Sequence, residues 1–200
     1  MRTMTRLIRC AAVFGFVLAA LAGTAGASYH TFRFAEIYSN PSGTIQFVEM
    51  HEAFGADFQN LEHFAPDIFS TSHDLTLTDL PGTHTANSFF LLGTAGYNAL
   101  TGAPKADYLI PDHFFNPAGD TLQYGRATGP NGVVDTITFG PVPADPSEAL
   151  QRTGTSGNNF TAGPAIANTF SNGGNFAVPE PASGVLCVVI LGLLTRRGRL

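Results

Sequence analysis

Six histidines (His30, His51, His63, His73, His84 and His113) and 15 Asp or Glu are the residues of this 200-residue chain from which a metal-dependent hydrolase could be built. Their spacing does not build one locally. The sequence holds no His-Glu-x-x-His and no Cys-x-x-Cys, and no two histidines stand three to five positions apart, so a zinc site would have to be assembled by tertiary structure. Glu49, His51 and Glu52 form the densest local cluster. Two positions apart on a strand, Glu49 and His51 share a face and could chelate one ion; a solvated strand face is the simpler expectation. His63 and His73, with Asp67 and Asp74 beside them, suggest a second, loop-borne cation site. Asp112, Asn116, Asp120 and Asp135 stand near turns and are the oxygen donors for a structural calcium. Their spacing is not that of an EF-hand, and Asn, Asp, Pro and Gly favour turns for local backbone reasons. Nucleophilic catalysis has less to stand on, because none of Ser39, Ser42, Ser70, Ser72 and Ser88 lies in a Gly-x-Ser-x-Gly elbow. Gly129-Pro130-Asn131-Gly132 is a strand-joining turn and not a phosphate loop, since no lysine or helix follows it. The expectation is a chain with no catalytic residues and no cofactor, a structural calcium being the one candidate and ordinary turn chemistry the favoured account of those residues.

The elements that would carry these residues are short β-prone runs punctuated by turns. Residues 29–38 form a first strand stopped by Asn40-Pro41-Ser42-Gly43, and residues 44–51 a second, with Ile45, Phe47, Glu49 and His51 on one face and Gln46, Val48 and Met50 on the other. This is a hairpin signal. Further strands are expected at 74–80, 88–94, 107–110, 121–124 and 133–139, with about a turn of helix at 95–100 and at 147–151. That spacing suits a single β-sandwich over residues 28–153. Residues 154–177, rich in Gly, Asn, Thr and Ser, read as a spacer. Seventeen Phe against five Tyr and no Trp mark the aromatic set as core filler; Phe54, Phe58, Phe64 and Phe69 are expected to cover one end of the sandwich, or to offer a partner-binding patch.

Both ends of the chain carry transport signals. Arg2, Arg6 and Arg9 precede an apolar stretch at 11–22, and Ala25-Gly26-Ala27 fits the small-residue pattern cut by signal peptidase, so residues 1–27 read as a leader for the Sec translocon. At the other end Pro179-Glu180-Pro181 is followed by an apolar segment at 182–195 and a basic end at 196–200 holding Arg196, Arg197 and Arg199. The uncharged stretch is shorter than the roughly 20 residues that span a bilayer comfortably. Positive charge resists translocation, so the arginines would stay cytoplasmic and the rest of the chain would face outward.

This order of signals over residues 178–200 resembles the PEP-CTERM tail of Gram-negative bacteria. The resemblance implies recognition by an exosortase, a membrane-embedded enzyme that removes the tail after export. A second resemblance rests on Phe47-Val48-Glu49-Met50 in the first hairpin, Phe90-Leu91-Leu92-Gly93-Thr94-Ala95 with residues 104–111, and Ser147-Glu148-Ala149-Leu150-Gln151-Arg152. Together these are similar to lamin-tail-like domains, which implies an immunoglobulin-like sandwich used for binding or display. The chain departs from that pattern in lacking Trp and in its long 54–73 insertion.

Charge narrows the partners. Three arginines sit in each terminal segment, so residues 28–177 keep Arg33, Lys105, Arg126 and Arg152 against 14 Asp or Glu, a formal charge of −10. Such a surface argues against nucleic acid, whose phosphates demand Lys and Arg. Cys10 and Cys187 also lie in the terminal segments, so no disulfide framework is expected between them. The expectation is an exported, non-enzymatic envelope or extracellular-matrix protein, anchored in the inner membrane transiently or permanently by its C-terminal helix. Its expected partner is extracellular polysaccharide or another envelope protein. A secreted metal-dependent hydrolase is the alternative.

Overall fold

The computed structural model describes residues 31–55, 67–78, 85–125, 132–170 and 176–177. Among the described residues the strands, in chain order, are β1 (Phe32–Ser39), β2 (Gln46–Glu52), β3 (Asp67–Phe69), β4 (Asp74–Thr76), β5 (Phe89–Thr94), β6 (Tyr108–Ile110), β7 (Asp120–Tyr124), β8 (Asp135–Phe139), β9 (Glu148–Arg152), β10 (Phe160–Pro164), β11 (Ile166–Ala167) and β12 (Phe176–Ala177), with one short helix, α1 (Ala95–Asn98), after β5. They form a six-stranded sheet in the order β10-β9-β1-β2-β5-β6, a four-stranded sheet in the order β4-β3-β7-β8, and a small β11-β12 pair. The fold is all-β, as the alternating runs imply. All pairs are antiparallel except β5 with β6.

The hairpin at the start forms where its turn residues place it. Asn40 holds the turn from both sides: its carbonyl accepts Gly43 N–H at 3.0 Å and its Oδ1 accepts Ile45 N–H at 3.0 Å. Gly43 sits at φ +71°, and a Cβ there would lie 2.6 Å from His113 Nδ1. Only glycine fits both constraints. Thr94 caps α1 by accepting Tyr97 N–H at 3.2 Å.

The main core lies between the two large sheets. Phe32, Phe34, Ile37, Val48, Met50, Phe90 and Leu92 from the six-stranded sheet meet Ile68, Leu122, Tyr124, Ile137 and Phe139 from the other. Strict alternation along β1 would put Ile37 on the opposite side from Phe32 and Phe34. A bulge at Ala35 prevents this: Phe34 pairs with Met50 and Glu36 with Glu49, so one residue is skipped and the strand changes phase. Ile37 is thereby returned to the core, and Glu36 and Tyr38 are turned onto the outer face beside Glu49 and Phe47.

The two sheets are also joined by a buried ion pair. Asp135 of β8 accepts Arg152 Nη1 at 2.5 Å and Nη2 at 3.1 Å, and its Oδ2 accepts Phe34 N–H at 3.1 Å. This bridge lies where β1 and β9 stop pairing, since their register runs only over Glu36 and Ile37. Asp135, a candidate calcium donor on sequence grounds, is thus a structural counter-ion.

Two expectations are corrected. Residues 147–151 are not a turn of helix, because Glu148–Arg152 pairs with both β1 and β10 as an inner strand of the large sheet. The expected spacer at 154–177 is in part built into the fold. Phe160–Pro164 closes the sheet edge against β9, and residues 165–170 cross back over the outer face. Gly163 serves close packing there, since a Cβ would lie 2.7 Å from Gln151 Oε1.

Candidate functional site

The outer face of the six-stranded sheet carries a second apolar cluster of Tyr38, Phe47, Leu91, Tyr97, Ala149, Ala165 and Ala167. Three carboxylates are set into it. The chain segment 165–170 lies over them in extended form, and alternate backbone N–H groups point down. Ile166 N–H donates to Glu36 Oε1 at 2.7 Å, Asn168 N–H to Glu49 Oε2 at 2.7 Å, and Phe170 N–H to Asp107 Oδ2 at 3.0 Å. Asn168 Nδ2 adds a second bond to Glu49 Oε2 at 3.0 Å, and Leu91 N–H donates to Asp107 Oδ2 at 2.9 Å. Glu36 is on β1, Glu49 on β2, and Asp107 immediately precedes β6. Segment 165–170 therefore runs across the strands of the sheet.

This arrangement uses side chains as a ladder rail. A strand crossing a sheet face cannot use that sheet's backbone groups, which are already paired, so its own buried N–H groups need other acceptors. Carboxyl oxygens supply them at every second residue, the period at which an extended chain points N–H groups the same way. Ala165 and Ala167 are small enough for close approach, and with Asn168 and Thr169 they are buried.

Burial sets the electrostatics of the seat. It pushes the Glu36 carboxyl up to about 8, against the N–H of Ile166, while facing Glu49 raises it further. Glu49 is also pushed up to about 8 by burial, against the two donors of Asn168. Asp107 is raised by burial, opposed by the N–H groups of Phe170 and Leu91. Glu36 and Glu49 are direct cross-strand partners; two like charges there would repel, so the protonated form is favoured. Tyr97 feels Glu49, Asp107 and Glu36 together, and burial followed by those charges raises its phenol. Among the described residues the buried hydroxyls of Tyr38 and Tyr97 have no hydrogen-bond partner.

The residues singled out from sequence fall elsewhere or into other roles. Glu49 is not on a solvated face; it is buried under Asn168. His51 lies against Phe89, rings stacked with centroids 4.3 Å apart, and burial holds its imidazole below the ordinary value against the raising effect of Glu52. Glu52 ends β2 by accepting Phe54 N–H at 3.1 Å and Asn87 N–H at 3.0 Å. Through Nδ1, His73 contacts Phe114 O at 3.1 Å, and Asp67 accepts Thr76 Oγ1 at 2.6 Å. Among the described residues no three His, Cys, Asp or Glu side chains are gathered as a metal site. His63, Phe58, Phe64 and the sorting residues Ala25, Ala27, Pro179, Glu180, Pro181, Arg196, Arg197 and Arg199 lie outside the described residues. So does the apolar segment 182–195; among the described residues no helix is long and apolar enough to cross a membrane.

Two clefts open on the surface of the described residues. One, lined by Thr71, Ser72, Asn116, Asp120, Thr121 and Thr138, is rich in hydroxyls. Its carboxylate is occupied: Asp120 accepts Asn116 N–H at 3.0 Å, Thr121 N–H at 2.7 Å and the Thr71 hydroxyl. Burial raises that carboxyl, but these hydrogen bonds outweigh it and hold it below its ordinary value. The other cleft gathers Arg33, His51 and Arg152. Arg152 is bound to Asp135 there, and the Arg33 guanidinium lies 5.0 Å from the ring centre of Phe54, which is 56% exposed. Phe54 thus packs under an arginine at the surface.

No protein-family model, curated protein or solved structure matches this chain. The carboxylate seat was missed by sequence reasoning, because Glu36 and Asp107 carry no motif and segment 165–170 looks like linker.

Proposed function

We propose that the chain is an exported, non-enzymatic β-sandwich module of the cell envelope or extracellular matrix, delivered by a PEP-CTERM-like tail and released by an exosortase. The observation that carries this reading is the order Pro179-Glu180-Pro181, apolar segment, arginine cluster at one end, matched by a basic, apolar, Ala-Gly-Ala leader at the other. The domain between them supports a binding or structural role. Its buried carboxylates Glu36, Glu49, Asp120 and Asp135, and the half-buried Asp107, are engaged in holding backbone N–H groups or Arg152. Within the all-β class, the first hairpin with its Phe47-Val48-Glu49-Met50 run favours an immunoglobulin-like, lamin-tail-like sandwich. Extracellular polysaccharide or a second envelope protein is the partner class in keeping with an acidic exported domain.

Intact mass of the protein recovered from expressing cells tests the delivery step. A mature species lacking residues 1–27 and the basic end is expected, and replacing Pro179 and Pro181 by Ala should leave the tail attached. Unchanged processing in that variant would sink the sorting assignment; a wild-type mature chain still ending at Leu200 would make the tail a permanent anchor. Stoichiometric zinc or manganese, lost on His51→Ala or His63→Ala, would instead favour the hydrolase.

A further inference from the structure

We propose that segment 165–169 is a proton-gated clasp, seated on the outer face of the six-stranded sheet while Glu36 and Glu49 are neutral and released as they ionise. The inference rests on the described domain alone and stands whether or not the tail is a sorting signal.

The geometry supplies the coupling. Glu36 and Glu49 are buried under the segment and accept the N–H groups of Ile166 and Asn168, while Asp107 meets Phe170 N–H at the end anchored in the core. Lifting the segment therefore returns Glu36 and Glu49 to water in one event. The groups facing the three carboxyls are Gln151 on β9, Tyr97 on α1, Leu91 N–H on β5 and Asn168 within the segment; Glu36 and Glu49 face each other. Among the described residues no Arg, Lys or His acts on the three carboxyls. Ionisation under the clasp therefore meets burial and mutual repulsion, with only N–H dipoles to offset them, whereas ionisation after release meets solvent.

Most of the segment lies outside the core between the sheets. Ala165 and Ala167 sit in the outer cluster with Tyr38, Phe47, Leu91, Tyr97 and Ala149, and only Phe170, at its far end, packs against the core between the sheets. The segment enters by a single backbone bond, Ala165 N–H to Ser147 O at 2.8 Å, and is met by β12 through Ile166 and Ala167. Local opening of such a peripheral unit needs less free energy than global unfolding.

The sign follows from linkage. In the seated state Glu36 and Glu49 keep their protons to about 8, and in the released state they lose them near the ordinary 4.5. The proton-dependent hold is complete below the ordinary value and is lost as pH rises toward about 8. Between those limits each carboxyl makes opening up to about tenfold easier per pH unit, so the pair gives about a hundredfold.

Amide hydrogen exchange on the full chain in nonionic detergent tests this, with protection corrected for the intrinsic pH dependence of exchange. The amides of Ile166 and Asn168 should be less protected than those of Leu122 and Ile137 at every pH. Their protection should fall by about a hundredfold per unit between roughly pH 5 and 8. In Glu49→Gln, which keeps an acceptor oxygen but cannot ionise, the fall should drop to about tenfold per unit. Clasp amides that match the core amides, or whose corrected protection does not change with pH, overturn the proposal in the wild-type chain alone. An undiminished slope in Glu49→Gln overturns it as well.

Discussion

Replacing Arg152 by Met should strip Asp135 of its counter-ion inside the domain. The pair is deeply placed, with side-chain exposures of 1% for Arg152 and 8% for Asp135, and its two bonds measure 2.5 and 3.1 Å. Arg152 also donates from Nε to Gly157 O at 3.0 Å, so the loop after β9 loses a tie at the same time. Among the described residues Asp135 would keep Phe34 N–H as a hydrogen-bond donor, with the charge of Arg33 nearby as partial compensation. Removing one partner of a buried pair costs about 3–5 kcal/mol, chiefly because the remaining charge is uncompensated. Against a total stability on the order of 5–15 kcal/mol this is a large fraction. The chain has no Trp, so urea unfolding is best followed by far-UV circular dichroism, with the midpoint falling and the slope unchanged. Asp135→Asn combined with Arg152→Met removes both charges while keeping a carbonyl for Phe34 N–H. That double variant should be more stable than Arg152→Met alone. A loss below about 1 kcal/mol in the single variant, or strict additivity of the two single losses, would refute the assignment of this pair as the link between the sheets.

Global stability should fall as the solution is made alkaline. Glu36 and Glu49 retain protons in the folded chain to about 8 and lose them near 4.5 when unfolded, so the slope reaches about 1.4 kcal/mol per pH unit for each. Urea midpoints should accordingly be higher at pH 5.5 than at pH 8; equal midpoints would mean that these carboxyls are ordinary. Gly43→Ala should cost roughly 1–3 kcal/mol, because its φ of +71° and the 2.6 Å approach to His113 both oppose a Cβ. Thermal melts of that variant, with Gly140→Ala, where a Cβ meets nothing, as control, would show whether the turn is as demanding as its geometry implies.

The hairpin was readable in the sequence because its determinants are local: Asn40-Pro41-Ser42-Gly43 is a turn signal wherever it occurs, and the flanking runs alternate. The helical turn α1 and strands β4 to β8 were legible for the same reason. Strand β9 was not, since Glu148, Ala149, Leu150 and Gln151 favour helix in isolation and become a strand only by lying between β1 and β10. Strand β10 was hidden by Gly163 and Pro164, which look like linker until Gln151 is seen lying against them. The carboxylate seat was hidden most completely. Period-two reading assigns Glu36 to the side of Phe34, and only the bulge at Ala35 moves it beside Glu49. Its bond to Ile166 then spans 130 positions, a separation at which no motif can be read.

The return of Phe176–Ala177 onto Ile166–Ala167 has a consequence for reach. From Ala177 to Ala182, where the apolar segment begins, there are five residue steps, spanning at most roughly 17 Å when fully extended. If that segment enters a bilayer, the domain is moored and not leashed. It would ride close against the lipid, unable to sweep a wide volume for partners, and a protease or transpeptidase working at the boundary would have little slack chain to grip. Lengthening the mooring would require peeling residues from the sheet face itself.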